Sequence, residues 1–241
     1  ASILLGGLNG VSSRAVEGYP LGALWGIGFQ KDVKGAYVLN ANGFPTSEVE
    51  QKVLGDPNPD WRSGLGLNVE YKNFKLYALF EHSQGGDIVD ATEAVLRDYG
   101  VSQTTGNESV STTNLKTVSG ATILAGTPFR GNIGNFGAGD VALDQSWYNG
   151  LGGFFGNVLE PFITDASWTR LREVTLSYRL TRKRLPKFTR LSSVNFEVSG
   201  RNLWVNSNLK TIDPDSNLEG SGSGRGIVYF NNPGTRSYLF T

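Results

Sequence analysis

Few residues of this sequence have the types and spacing that chemistry needs. The 241-residue chain holds a single histidine, His82, directly after Glu81. A histidine and a carboxylate that converge on a substrate can do acid–base work. Here the pair falls near the end of an alternating segment, where a lone histidine is a surface residue, so no catalytic residue is assigned. Asp213, Asp215 and Asn217 put oxygen ligands at alternate positions, a pattern that Ca²⁺ loops use. Asx-rich turns produce the same pattern, and no metal site is assigned. The glycine-rich run at residues 220–226 contains Arg225 but no Lys-Ser/Thr pair and no helix signal after it. It reads as a loop, not a phosphate cradle. There is no cysteine, hence no disulfide and no thiolate ligand. No cofactor is expected, and nothing points to an enzyme.

The remaining candidates are charges on strands. Glu70, Lys75, Glu81, Glu173, Glu197 and Arg201 all occupy the polar positions of alternating segments. If those segments cross a bilayer as a barrel, these six face the lumen. A basic side chain turned to lipid near the midplane would cost about 2–4 kcal/mol. They then either contact a plug or solute, or form inward salt bridges that stiffen the wall. Arg182, Lys183, Arg184, Lys187 and Arg190 crowd one short connection. They form either a docking patch for a periplasmic partner or, more simply, a solvated turn beside lipid phosphates.

The elements that must hold these residues are strands with a period of two. In residues 64–71, Leu65, Leu67, Val69 and Tyr71 alternate with Gly64, Gly66, Asn68 and Glu70. Lys72-Asn73 predicts a tight turn. Phe74, Leu76, Ala78 and Phe80 then alternate with Lys75, Tyr77 and Glu81, Leu79 being the exception. Two strands so joined must form an antiparallel hairpin. A second pair spans residues 173–180 and 193–201. In it Val174, Leu176, Tyr178, Leu180, Val194, Phe196 and Val198 alternate with polar residues, and residues 181–191 are the connection. Trp25, Ile27 and Phe29 suggest a further strand, as do residues 236–241. In a barrel, Leu65, Leu67, Val69, Phe74, Leu76, Val174, Leu176, Phe196 and Val198 face lipid.

Short links alternate with long ones at residues 31–61, 85–167 and 206–235, all rich in Gly, Asn, Ser, Asp and Pro. Outer-membrane barrels are built this way, with short periplasmic turns and long extracellular loops. The middle segment predicts a short helix at residues 91–99 and a weak strand near 121–126. No internal repeat and no domain boundary is visible. Trp25, Trp61, Tyr71, Phe74, Trp168, Tyr178, Trp204 and Tyr238 lie near predicted strand ends, where interfacial aromatic girdles belong. A soluble β-sandwich would use the same residues as core, so both architectures stay open on alternation alone.

Composition narrows the class. Hydrophobic residues are 39% and charged residues 18%, below the roughly 45–50% and about 25% of soluble domains. Glycine is frequent, at 32 residues, without a collagen period. Basic and acidic residues are 22 each, so no nucleic-acid partner is expected. No run of about 18 apolar residues exists, so a membrane reading must rest on strands. The sequence lacks methionine, even at position 1, as expected of a processed chain or an excerpt, and residues 1–10 lack the basic start of a signal peptide.

Several motifs in order resemble the SusC/RagA group of TonB-dependent receptors. They are W-T-R-L-R-E-V-T-L-S-Y at 168–178, V-S-G-R-N-L-W at 198–204, I-D-P-D at 212–215 and P-G-T-R-S-Y at 233–238. Upstream stand Y-P-L-G at 19–22, G-D-P-N-P-D-W at 55–61, Y-K-N-F at 71–74 and G-G-D-I at 85–88. The resemblance runs from about residue 18 to 238 and is thinnest between 106 and 161. It implies an all-β fold: the C-terminal part of a transmembrane antiparallel β-barrel, of the large 22-stranded, plugged type. It also implies the outer membrane of a Gram-negative bacterium of the Bacteroidota, outer-membrane lipids as surroundings, and a SusD-like lipoprotein and TonB as partners. The implied activity is import of glycans, peptides or other large nutrients.

The whole chain, residues 1–241, is then barrel segment. The plug, the TonB-contacting part and the early strands are expected elsewhere, as is the terminal aromatic residue that such proteins carry. A partial barrel leaves two edges that lipid cannot hydrogen-bond, so closure must come from more of the polypeptide or another chain. The alternatives are a SusC-like barrel serving as a structural subunit of a secretion or assembly complex, and a soluble β-sandwich binding module.

Overall fold

The computed structural model describes every residue except 187, 210, 221 and 223. In chain order the strands are β1 (Ser2–Leu8), β2 (Val11–Val16), β3 (Ala23–Gly26), β4 (Lys52–Gly55), β5 (Trp61–Tyr71), β6 (Phe74–Gln84) and β7 (Asp87–Asp90). Helix α1 (Ala91–Asp98) follows, then β8 (Glu108–Ser109), β9 (Leu115–Lys116), β10 (Thr122–Ile123), β11 (Phe129–Arg130), β12 (Asn132–Asn135) and β13 (Asp140–Leu143). After helix α2 (Gln145–Tyr148) come β14 (Ile163–Asp165), β15 (Trp168–Thr181), β16 (Ser193–Ser207), β17 (Ile227–Val228) and β18 (Ser237–Phe240). The chain folds as two compact units interleaved in sequence.

One unit comprises Pro59–Gly85, Ala166–Pro214 and Asn232–Thr241. It is a five-stranded sheet in the order β18-β16-β15-β6-β5, antiparallel at every pairing. Both hairpins expected from the alternation are present. Lys72-Asn73 turns β5 into β6 with Lys72 in the left-handed region at φ 56°, and Asn73 Nδ2 donates to the Arg179 carbonyl at 2.5 Å. The other connection holds a 3-10 turn at Arg182–Arg184. β18 pairs with β16, so the terminal strand is real. The sheet is open: among the described residues β5 and β18 are its edges and no barrel closes.

Registers line up one face of this sheet. Side chains directly opposed across strands share a face. Leu67, Ala78, Val174, Gly200 and Tyr238 form one row, and Val69, Leu76, Leu176, Val198 and Phe240 the next. Tyr71, Phe74, Tyr178 and Phe196 form a third, at the tight-turn end. A bulge at Arg172 gives β15 one residue more than β6 between Leu171 and Glu173. It flips the parity of β15, so Leu171, opposite Phe80 and Trp204, stays on the apolar face.

The other unit, Ala1–Asn58, Gly86–Asp165 and Asp215–Asn231, is built largely from what the sequence suggests are long loops. It contains the sheets β1-β2-β3-β4, β10-β9-β13-β12, β11-β8 and β14-β7-β17. Two buried clusters hold it. One gathers Leu24, Val89, Ala94, Phe154, Leu159 and Ile227; the other gathers Phe29, Phe44, Trp147 and Val158. Helix α1 begins at an Asp90 side chain that accepts the Glu93 N–H, close to the predicted start. The weak strand is the short β10. The strand expected at Trp25, Ile27 and Phe29 is corrected: only Ala23–Gly26 is strand, inside the β1-β2-β3-β4 sheet, and Phe29 is core. Its apolar residues answer to this local core, so it is no member of the five-stranded sheet.

Candidate functional site

The five-stranded sheet separates its side chains by chemistry. Of the nine residues expected to face lipid, eight are exposed: Leu65, Leu67, Val69, Phe74, Leu76, Leu176, Phe196 and Val198. Val174 is half-buried. All nine lie on one face by the registers above. Leu65 is 69% exposed, where a soluble sandwich would cover it against a second sheet. Phe74 and Tyr178 rings stand 4.6 Å apart at the tight-turn end. Trp61 and Trp204 lie exposed on the same face toward the other end. Ten residues separate Trp61 from Tyr71, about 34 Å along a strand and about 26 Å along a bilayer normal at a 40° tilt. That spacing fits an apolar band flanked by two aromatic girdles. Trp25 and Trp168 do not join them: the first belongs to the other unit and packs on Tyr19 at 5.1 Å, and the second is buried and shares a face with Ser83.

The opposite face carries all six charges expected there, and most are paired. Lys75 Nζ lies 3.3 Å from Glu70 and Arg201 Nε 3.3 Å from Glu173. Arg172 Nη2 lies 2.5 Å from Glu81. Glu197 accepts from the Ser177 hydroxyl at 2.8 Å. Of these, Glu70, Lys75, Glu173, Ser177 and Glu197 border a polar hollow of about 690 Å³, together with Tyr77, Thr175, Arg179 and Asn195. Glu70, Lys75, Glu81, Glu173 and Arg201 each have an ion-pair partner on this face. Sequence reasoning misses Arg172, because the bulge that aims it at Glu81 leaves no mark in the alternation. It also misses Arg170, which is buried and ion-paired to Asp213, with its guanidinium 5.4 Å from the Trp168 ring.

The other candidates resolve in the same way. Glu81 and His82 are consecutive in β6 and point to opposite faces. His82 Nδ1 meets the Thr169 hydroxyl at 2.8 Å, so the two do not form a catalytic pair. Asp213 is occupied by Arg170, and among the described residues no group of three or more His, Cys, Asp or Glu side chains is placed to hold a metal ion. In the basic connection, Arg182 donates to the Thr189 and Leu191 carbonyls, and Arg184 to the Tyr178 hydroxyl. Lys187 and, in the glycine-rich run, positions 221 and 223 lie outside the described residues.

The loop-built unit holds a second cavity, of about 340 Å³, between α1, β11 and α2. Its wall includes Asp98, buried, whose Oδ2 accepts the Phe154 and Phe155 N–H groups. Burial pushes this carboxyl above its usual value, and the two N–H groups offset part of that. Elsewhere in the unit Glu160 accepts from Lys31 at 2.8 Å and from the Phe29 N–H at 2.7 Å. Burial alone would raise Glu160, but these donors outweigh it and hold the carboxyl below its usual range.

Comparison with known proteins agrees with this architecture. The TonB-dependent receptor P3 of Formosa agariphila is 26% identical over 205 residues, which are 83% of this chain and 18% of that protein. The fold matches chains of the RagAB peptide importer in its 'open-open' state (TM-score 0.54, 14% identity) and its 'closed-closed' state (0.53, 15%). Each match covers 99% of this chain and 23% or 24% of the importer chain. No protein-family model matches the chain. The chain is thus similar to a TonB-dependent receptor in sequence and to the RagAB chains in fold, in line with its SusC/RagA-like motifs. It spans about a fifth of the length of these relatives.

Proposed function

We propose that this chain is a C-terminal barrel segment of an outer-membrane, TonB-dependent importer of the SusC/RagA kind. The observation that carries the reading is the continuous exposed apolar face across β18, β16, β15, β6 and β5, backed by a face of paired charges. Lipid solvates the first face, and a hydrated lumen receives the second. The full barrel is of the large plugged type, with the plug, early strands and TonB-contacting part contributed by the rest of the protein. Outer-membrane lipid and a SusD-like lipoprotein are its partners. Large nutrients such as glycans or peptides are its cargo, and a Bacteroidota outer membrane is its location. The Lys72-Asn73 turn and residues 181–191 face the periplasm; residues 31–61, 85–167 and 206–235 face outward.

Cysteine scanning of the full-length protein in whole cells tests this. A lipid-soluble maleimide should protect Val69, Leu76 and Leu176 from a later water-soluble label and leave Asn68, Lys75 and Ser177 open to it. Equal labelling of Asn68 and Val69 would sink the assignment.

A further inference from the structure

The connection between β15 and β16 carries charge of one sign. Between Glu173 and Glu197 the sequence has six basic residues and no acidic one, in a chain whose totals balance at 22 each. Arg182, Lys183, Arg184 and Arg190 are all exposed there. Arg182 serves the turn itself. It donates to the Thr189 and Leu191 carbonyls, and the Thr189 hydroxyl donates to the Pro186 carbonyl at 2.9 Å. Lys183, Arg184 and Arg190 have no ion-pair partner among the described residues. Arg184 reaches back along β15 and donates to the Tyr178 hydroxyl. Tyr178 belongs to the third apolar row and packs on Phe74 at 4.6 Å. That hydrogen bond therefore holds a guanidinium at the rim of the apolar face. Phe188 is 87% exposed and Leu191 52%, so two apolar side chains stand in the open on the same basic turn.

We infer that this connection binds the phosphate of an anionic glycerophospholipid headgroup. The inference rests on the barrel reading for the turn's place at the bilayer, and deepens it by naming the headgroup chemistry the turn selects. Two guanidinium groups and an ammonium without carboxylate partners suit a phosphate, which arginine engages through paired N–H groups. Basic clusters beside a membrane-embedded segment attract anionic lipid. A tyrosine ring with its body in apolar surroundings and its hydroxyl wet sits at headgroup depth, so Arg184, bound to that hydroxyl, lies at the level of the phosphates. Exposed Phe and Leu beside Lys and Arg are the pattern of a segment lying at the boundary of headgroups and acyl chains. An acidic protein segment would satisfy the charges, but it gives neither Phe188 nor the bond between Arg184 and Tyr178 a role.

Native mass spectrometry of the full-length protein in detergent tests the site, with phosphatidylglycerol and phosphatidylcholine of matched acyl chains as competing probes. Phosphatidylglycerol should be retained in preference to phosphatidylcholine. Arg184→Ala and Arg190→Ala should each lower that preference about fivefold, the weight of one basic residue beside an anionic surface. Phe188→Ser should lower retention of both lipids alike. All three side chains are exposed, so the variants keep the fold, which heat-modifiable mobility checks. Equal retention of the two lipids by the unaltered protein, or a preference that both arginine variants leave unchanged, would overturn the inference. Saturable binding of decaglutamate without any lipid preference would overturn it too, and would make an acidic protein segment the occupant. A misassigned barrel would label Asn68 and Val69 alike, whereas a failed headgroup site leaves that labelling pattern intact, so the two readings fail separately.

Discussion

Leu176 lies between Leu76 and Val198 in the second apolar row, and Ser177 beside it lies between Lys75 and Glu197 on the charged face. An arginine at each position asks the same backbone which side is lipid. Leu176 is five residues from Thr181, the end of β15. That is about 17 Å along the strand and about 13 Å along the membrane normal at a 40° tilt, close to the middle of a band about 25 Å tall. Leu176→Arg should therefore cost the midplane value, about 2–4 kcal/mol. Ser177→Arg meets Glu197 and a hydrated face, and should change stability by no more than about 1 kcal/mol. Leu176→Ala, which leaves lipid to fill the gap, controls for lost packing. The assay is denaturant unfolding of the full-length protein refolded into liposomes, read by tryptophan fluorescence and by heat-modifiable mobility. Equal costs at the two positions, or a greater cost at Ser177, would refute the facial assignment and with it the barrel.

Two further outcomes follow from the ion pairs. The buried pair between Arg170 and Asp213 makes Asp213→Leu costly, about 3 kcal/mol, whereas Arg170→Met with Asp213→Leu should recover at least half of that loss in the same unfolding assay. Glu160, held below 4.5 by Lys31 and the Phe29 N–H against its burial, contributes stability above pH 4.5 that is lost as pH falls through its lowered value. Glu160→Gln should flatten the stability profile in that acid window, by up to about 1 kcal/mol given its partial exposure. An unchanged profile would count against the pair.

The period-two segments contained the essentials of the five-stranded sheet. Val69 and Glu70, or Leu176 and Ser177, must point to opposite sides of any strand, and a two-residue link at Lys72-Asn73 must return the chain antiparallel. Hence the apolar rows, and the six charges on one face, are legible in the alternation itself. Partner choice is not. Glu70 and Lys75 meet across their own hairpin, but Glu81 meets Arg172 only because a bulge shifts parity in β15, and a bulge is a tertiary adjustment with no local signature here.

The long connections show the same limit more strongly. Their strands are two to four residues long, too short for a periodic signal, and their partners are distant: Ile163 pairs with Val89, and Ile227 with Val89 on its other side. Phe29, Phe44 and Trp147 become a core only when three far segments meet. Local sequence therefore determined which residues face which way along each long strand. The folded chain alone decided which segments join, because that choice depends on burying apolar surface shared between residues more than a hundred positions apart.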